Sequence, residues 1–433
     1  MSGSTDGEMA GAERRRVASL AAVITASFGV GMAFGVGFPL TGLTLEAWNT
    51  PAWLIGIAGA APALGVLTTL PVLPGLVMRL GVVRAIALGC TIGALGFVAL
   101  ALVTNVYAWI AIRYLMSAGL ALPWLAGETW INMVTREETR GRVIAIYAIS
   151  FFSGYTAGPL LLSGAGLTGY LPFALGALSM MLAGLPIVLA ARIAPDISAE
   201  GSSSHNAWSA ARLAPIGMAA GLISGFAEMS YLSLIGNVGI AGGLVEAQAL
   251  KLMSFMTFGG VALQFLIGWL ADKSSRTGVT IGLGLAFIVL SLMLPAAIAG
   301  APSPFAITLL LPGAIEAGVP VRGVSLLGPL GLTGGEAAYA VAFMLGGVVL
   351  GFYTVGLAIV GEEVEARDLA AANAAFLVMY QLGAIVGPAA AGLAMTVAPV
   401  EGFVVIMALL MAFAVLAVSL MVWRRRRRHA LPR

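Results

Sequence analysis

A carboxyl stranded among apolar residues is the first sign of chemistry in this chain. Glu228 sits in Ser224-Gly225-Phe226-Ala227-Glu228-Met229-Ser230-Tyr231, 16 residues beyond Arg212, or roughly 24 Å along a helix. A charge held at the middle of a bilayer costs roughly 2.5–3.5 kcal/mol on insertion scales, so an acid there signals function. Such a carboxyl suits a group that loads and releases a proton. The plainer reading is a protonated glutamic acid bonded to a neighbouring helix. Arg113 and Glu128 share the fourth apolar run, 15 residues apart, which is roughly 22 Å and too far for a direct pair. They differ by only about 60° around a helix, so both can face one cavity. Arg113 offers a fork of donors to an anion, or snorkels outward. Glu128 reads as gate structure, bonding Arg142, more readily than as a substrate contact. Lys251, about one turn into the eighth run, fits ligand contact or snorkelling equally. Tyr147, Ser150, Tyr231, Gln264, Tyr353, Asn373, Tyr380 and Gln381 complete a candidate set for solute and proton. Each of these alone also reads as interhelical glue.

Other chemistry is excluded by what is missing. Cys90 is the single cysteine, and His205 and His429 lie in polar segments, which rules out an intramolecular disulfide, a cysteine metal site and a histidine relay in the membrane. No Gly-x-x-x-x-Gly-Lys-Ser/Thr loop is present, which argues against ATP drive. No cofactor, metal or nucleic acid is expected, and a membrane-embedded enzyme finds no nucleophile–base set.

The elements that must position these residues are spanning helices. Hydrophobic residues make up 60% of the chain and charged ones 9%. A spanning helix needs about 20 apolar residues, and the runs predict twelve, near 17–45, 52–75, 82–104, 106–134, 141–165, 169–193, 211–237, 247–271, 278–300, 335–361, 369–395 and 401–423. Of the 22 Lys and Arg, all but Arg113, Lys251 and Arg322 fall in every second break or in the tails. By the positive-inside rule those breaks face the cytoplasm, so both termini are expected there, in a cytoplasmic (inner) membrane. The basic tail meets anionic lipid. The polar residues 1–16 and the length of the first run argue against a cleaved signal peptide.

The chain repeats itself. Gly154-x-x-x-Gly158-Pro159 recurs as Gly383-x-x-x-Gly387-Pro388 at an offset of 229, which also pairs Trp124 with Tyr353 and Gly127 with Gly356. Aligning Met78 with Asp272 gives an offset of 194 earlier in the halves. The difference places an insertion in the second half, at 301–334, read as a periplasmic or re-entrant segment. The expected domains are a six-helix bundle over 1–193, a cytoplasmic linker over 194–210, and a second bundle with a basic tail over 211–433.

This layout resembles the major facilitator superfamily. Gly268-x-Leu270-Ala271-Asp272-Lys273-x-x-Arg276 is similar to its signature loop, with Ser275 in place of the second glycine. The first-half copy carries Met78 for the acid and Pro74 for the first glycine. Gly127-Glu128-Thr-Trp-Ile-Asn132, Arg140-Gly141-Arg142-Val-Ile-Ala-Ile-Tyr147 and Glu363-Val-Glu365-Ala-Arg-Asp-Leu-Ala-Ala-Ala-Asn373 resemble the YcaD-like branch. The resemblance implies an all-α membrane fold of two pseudo-symmetric bundles that work by alternating access. It also implies a gate in which Asp272 reaches the start of span 5 near Arg140 and Arg142, while Asp368 caps span 11. The Gly-x-x-x-Gly-Pro pattern is similar to the superfamily's antiporter motif and tilts the expectation toward export. The function expected is proton-coupled secondary transport of a small amphipathic or anionic organic solute by a monomer. The alternative is a transporter-like receptor or scaffold that binds solute without moving it.

Overall fold

The computed structural model describes residues 2–195, 212, 214–299, 334–365 and 368–430. Among them there are twelve long helices and no strand. They are α1 Ser2–Ala47, α2 Ala52–Thr69, α3 Leu73–Leu102, α4 Val106–Val134, α5 Arg140–Ala165, α6 Leu171–Leu189, α7 Pro215–Ala241, α8 Glu246–Lys273, α9 Arg276–Ala299, α10 Gly334–Glu363, α11 Leu369–Val397 and α12 Pro399–Ala430. Each contains a stretch long and apolar enough to cross a bilayer. Helices satisfy their backbone polar groups internally, which lipid requires. Phe265, Val397, Phe413 and Leu189 are all more than 70% exposed, surfaces that suit lipid tails and not water.

Two boundaries differ from expectation. α1 starts at Ser2, because the polar, proline-free residues before Val17 continue the helix into the apolar run. α3 takes in the loop expected after span 2 and breaks at Gly81, whose φ of 77° is a left-handed backbone that glycine adopts without strain. The insertion at 301–334, apart from the first residue of α10, and most of the linker lie outside the described residues.

The chain forms two compact units, Met1–Leu40 with Ala61–Ser203, and Thr41–Ala60 with Ser204–Arg433. In the first, α3 packs on α4 and α6. In the second, α7 packs on α11, α8 on α10, and α9 on α10 and α12. The repeated glycine motif makes an equivalent seam in each. A Cβ at Gly154 or Gly158 would collide with the backbone of Phe28 or Gly35 on α1, and one at Gly383 or Gly387 with the backbone of Leu222 or Phe226 on α7. Small residues thus bring α5 against α1 and α11 against α7, as packing in lipid favours.

The units depart from the sequence halves at one place. Thr41–Ala60, the end of α1, its turn and the start of α2, belongs to the second unit. Asn237 of α7, only 2% exposed, donates to the Gly42 carbonyl at 2.9 Å and to the Glu46 carboxylate at 2.6 Å. Hydrophobic periodicity shows which face of a helix needs cover; it does not show which bundle supplies it.

Candidate functional site: two matched aromatic walls

The contacts within each unit follow the two offsets read from the sequence. In the first unit Trp124 of α4 meets Phe151 of α5 edge to face, with ring centroids 5.4 Å apart at 81°. In the second, Tyr353 of α10 meets Tyr380 of α11 at 5.6 Å and 89°. Both residues of the second pair lie 229 positions beyond those of the first. The offset of 194 holds on the inner helices: a Cβ at Gly31 would strike the Phe151 carbonyl, and one at Gly225 the Tyr380 carbonyl. By that register Phe34 and Glu228 occupy equivalent places. Phe34 packs on Phe151 at 6.1 Å, whereas the Glu228 carboxyl accepts a hydrogen bond from the Tyr380 hydroxyl. The second wall continues through Phe376, 5.3 Å from Tyr353. The fold therefore presents one aromatic wall twice, and the second copy carries the acid.

The first wall is deeper. Phe34, Phe38, Phe151 and Tyr155 form a connected cluster with centroid distances of 6.0–6.4 Å. Spacing of four residues on α1 and on α5 puts each pair on one helix face. Arg113 stands behind it, 6% exposed, with its guanidinium 5.0 Å from the Phe38 centroid. Its Nε has no hydrogen-bond partner among the described residues. Glu128 accepts from the Trp124 indole one turn back along α4, which fixes its carboxyl on the wall beside Tyr147. Ser150 donates to the Ile24 carbonyl at 2.8 Å, tying α5 to α1.

Other expected site residues fall elsewhere. Tyr231 is fully buried, donates to Ser291 Oγ at 2.7 Å, and is boxed by Phe287 and Phe403. It packs α7 against α9 and α12 and does not join the wall of Glu228. Gln264 of α8 bonds Thr354 of α10, with its Oε1 buried and without a hydrogen-bond partner among the described residues. Gln381 is 8% exposed, while Lys251 and Asn373 are exposed. Asp272, with 74% of its side chain exposed, lies 3.8 Å from Arg276 in its own loop. Arg276 also donates to the Ala358 carbonyl at 2.6 Å and lies 3.4 Å from Glu362, a cation placed near the C-terminal end of α10, where the helix dipole favours positive charge. Arg140 and Arg142 are exposed on the first turn of α5. Asp368 occupies the N-cap of α11 but makes no side-chain cap bond, contrary to the capping role expected of it. Sequence reading passed over Phe34, Phe38, Phe151 and Tyr155, although their spacing was visible. It also passed over Glu13, which pairs with Arg16 and, at 2.8 Å, with Arg136. No group of three or more His, Cys, Asp or Glu among the described residues could hold a metal.

Residues 23–330 match the model of the Major Facilitator Superfamily. The chain belongs to the major facilitator superfamily. It is 27% identical over 367 residues to the uncharacterised MFS-type transporter YcaD of Salmonella enteritidis PT4 (strain P125109), across 84% of this chain and 85% of the relative. It is also 27% identical over 364 residues to the uncharacterised MFS-type transporter Ent638_1421 of Enterobacter sp. (strain 638), across 82% and 84%. The nucleoside transporter NupG shares the fold with a TM-score of 0.72 at 17% identity, covering 93% of this chain and 99% of that one. A sulfate complex of the peptide transporter POT does so at 0.69 and 14%, covering 94% of each. A multi-pass membrane protein of this superfamily is a secondary transporter and not an enzyme.

Proposed function

We propose that the protein is a proton-coupled transporter of a small amphipathic or anionic organic solute, working by alternating access in the cytoplasmic membrane with both termini inside. The observation that carries the reading is the Glu228–Tyr380 hydrogen bond at the place where the first unit has Phe34. An acid retained at mid-span, on a wall otherwise aromatic, is costly unless its charge is used. Loading a proton neutralises it, and releasing the proton restores a charge held by the Tyr380 hydroxyl. Arg113 supports an anionic partner in the first unit. The resemblance of Gly154-x-x-x-Gly158-Pro159 to the antiporter motif supports export against protons.

Proteoliposomes carrying an interior pH dye test the reading. A transported solute should move protons across the membrane, and Glu228→Gln should lower that movement at least tenfold at every pH while the purified variant keeps its elution profile. Undiminished coupling in Glu228→Gln would remove the assignment. The orientation is checked separately with reporter fusions at Arg433, active only on the cytoplasmic side.

A further inference from the structure

Arg113 is a buried cation in search of a counter-ion. It is 94% enclosed, its Nε lacks an acceptor, and no ion pair among the described residues involves it. The Phe38 face offsets part of the cost of stripping water from the guanidinium, but a ring quadrupole does not replace a full opposite charge. What leads to the guanidinium is also specific. Ring contacts run unbroken from Trp124, 45% exposed, through Phe151 and Phe34 to Phe38, on which the guanidinium lies. Phe34 and Phe38 stack at 27°, the offset arrangement aromatic pairs favour. Phe34 and Phe151 are half-buried, so the cluster is open on the Trp124 side and closed on the Arg113 side.

From this arrangement we infer that the first unit holds a binding place for an aryl carboxylate. The carboxylate docks side-on against Arg113, using Nε and one terminal nitrogen as a planar fork. The aryl ring takes the place Phe34 holds against Phe38 and Phe151, so one stacked ring is exchanged for another and little packing is lost. The inference deepens the reading of an anionic solute and rests on it for transport, but not for binding.

Binding is measured on purified full-length protein in detergent, without any gradient, by calorimetry and by quenching of tryptophan fluorescence. The probes are 1-naphthoate, its neutral analogue 1-naphthalenemethanol, and acetate. Naphthoate should bind at least tenfold more tightly than either, since only it has both ring and charge. Arg113→Lys, which keeps the charge and loses Nε, should weaken naphthoate at least tenfold. Phe38→Leu should weaken naphthoate and naphthalenemethanol together. Phe34→Ala should bind naphthoate no worse than the parent, because the ligand displaces that ring. Equal binding of naphthoate and its alcohol, acetate competing at the same concentration, or no binding of naphthoate would each overturn the inference, and the parent protein alone decides these. Naphthoate binding without proton movement in vesicles counts only against the proton-coupled reading. Proton-coupled flux of another solute, with naphthoate unbound, counts only against the aryl carboxylate site.

Discussion

Two tyrosines within reach of the same stretch of α7 do different work, and hydroxyl deletion separates them. Tyr380 donates to Glu228 on the wall, while Tyr231 donates to Ser291 in the packing of the second unit. Tyr231→Phe should cost about 1 kcal/mol, the net worth of one hydrogen bond, or somewhat more because Ser291 is left buried. It should lower the melting temperature and spare flux. Tyr380→Phe should do the reverse, leaving melting nearly unchanged and lowering proton-coupled flux several-fold. Melting curves and vesicle flux on the two variants check this, and the opposite pattern would reassign both residues. Their difference was not legible in the sequence. Residues 228 and 231 lie only about 60° apart around a helix, so polarity alone put Tyr231 beside the acid. Glu46 escaped notice for a related reason: an acid at the end of a span reads as an ordinary interfacial charge until Asn237 is seen bonded to it. Glu228 and Arg113 were legible because charge inside an apolar run is expensive and therefore conspicuous.

The helix pairs α1–α5 and α7–α11 depend on backbone contact that tolerates no side chain. Gly158→Val and Gly387→Val should each sharply reduce folded protein, since the neighbour to be displaced is backbone or the buried Ser230 and cannot retreat as a flexible side chain would. Gly164→Ala, on the same α5 but with nothing among the described residues within 4 Å of a new Cβ, should leave the yield unchanged. Size-exclusion profiles of fluorescent fusions distinguish the three. The seam explains why the internal repeat could be read from one sequence. Residues locked into such contacts keep their type in both halves, as with Gly154 and Gly383, whereas lipid-facing positions are free to drift. Trp124 with Phe151 and Tyr353 with Tyr380 share an edge-to-face ring geometry across the two halves, while only the second pair carries hydroxyls.

At the scale of the molecule, the twelve spans followed from apolar run length and the doubling from the recurrence of the Gly-x-x-x-Gly-Pro motif. The assignment of Thr41–Ala60 to the second unit did not. Asn237→Ala should test how firmly that hairpin is held. It removes both donations, leaves the Gly42 carbonyl and Glu46 to other partners or to water, and should destabilise the protein by about 1–3 kcal/mol. Urea or thermal unfolding in detergent would show it, and an unchanged midpoint would mean the hairpin tip is already loose.

The borrowed hairpin also bears on dissection. A gene cut within 196–211 yields one fragment that carries a piece of the other's core. Expressed by itself, residues 212–433 would leave Asn237, Ser233 and Gly236 facing a gap that Gly42, Gly59 and Leu43 normally fill. Complementation by the missing fragment, supplied in the same cell, is then a requirement for a sound second bundle and not a convenience.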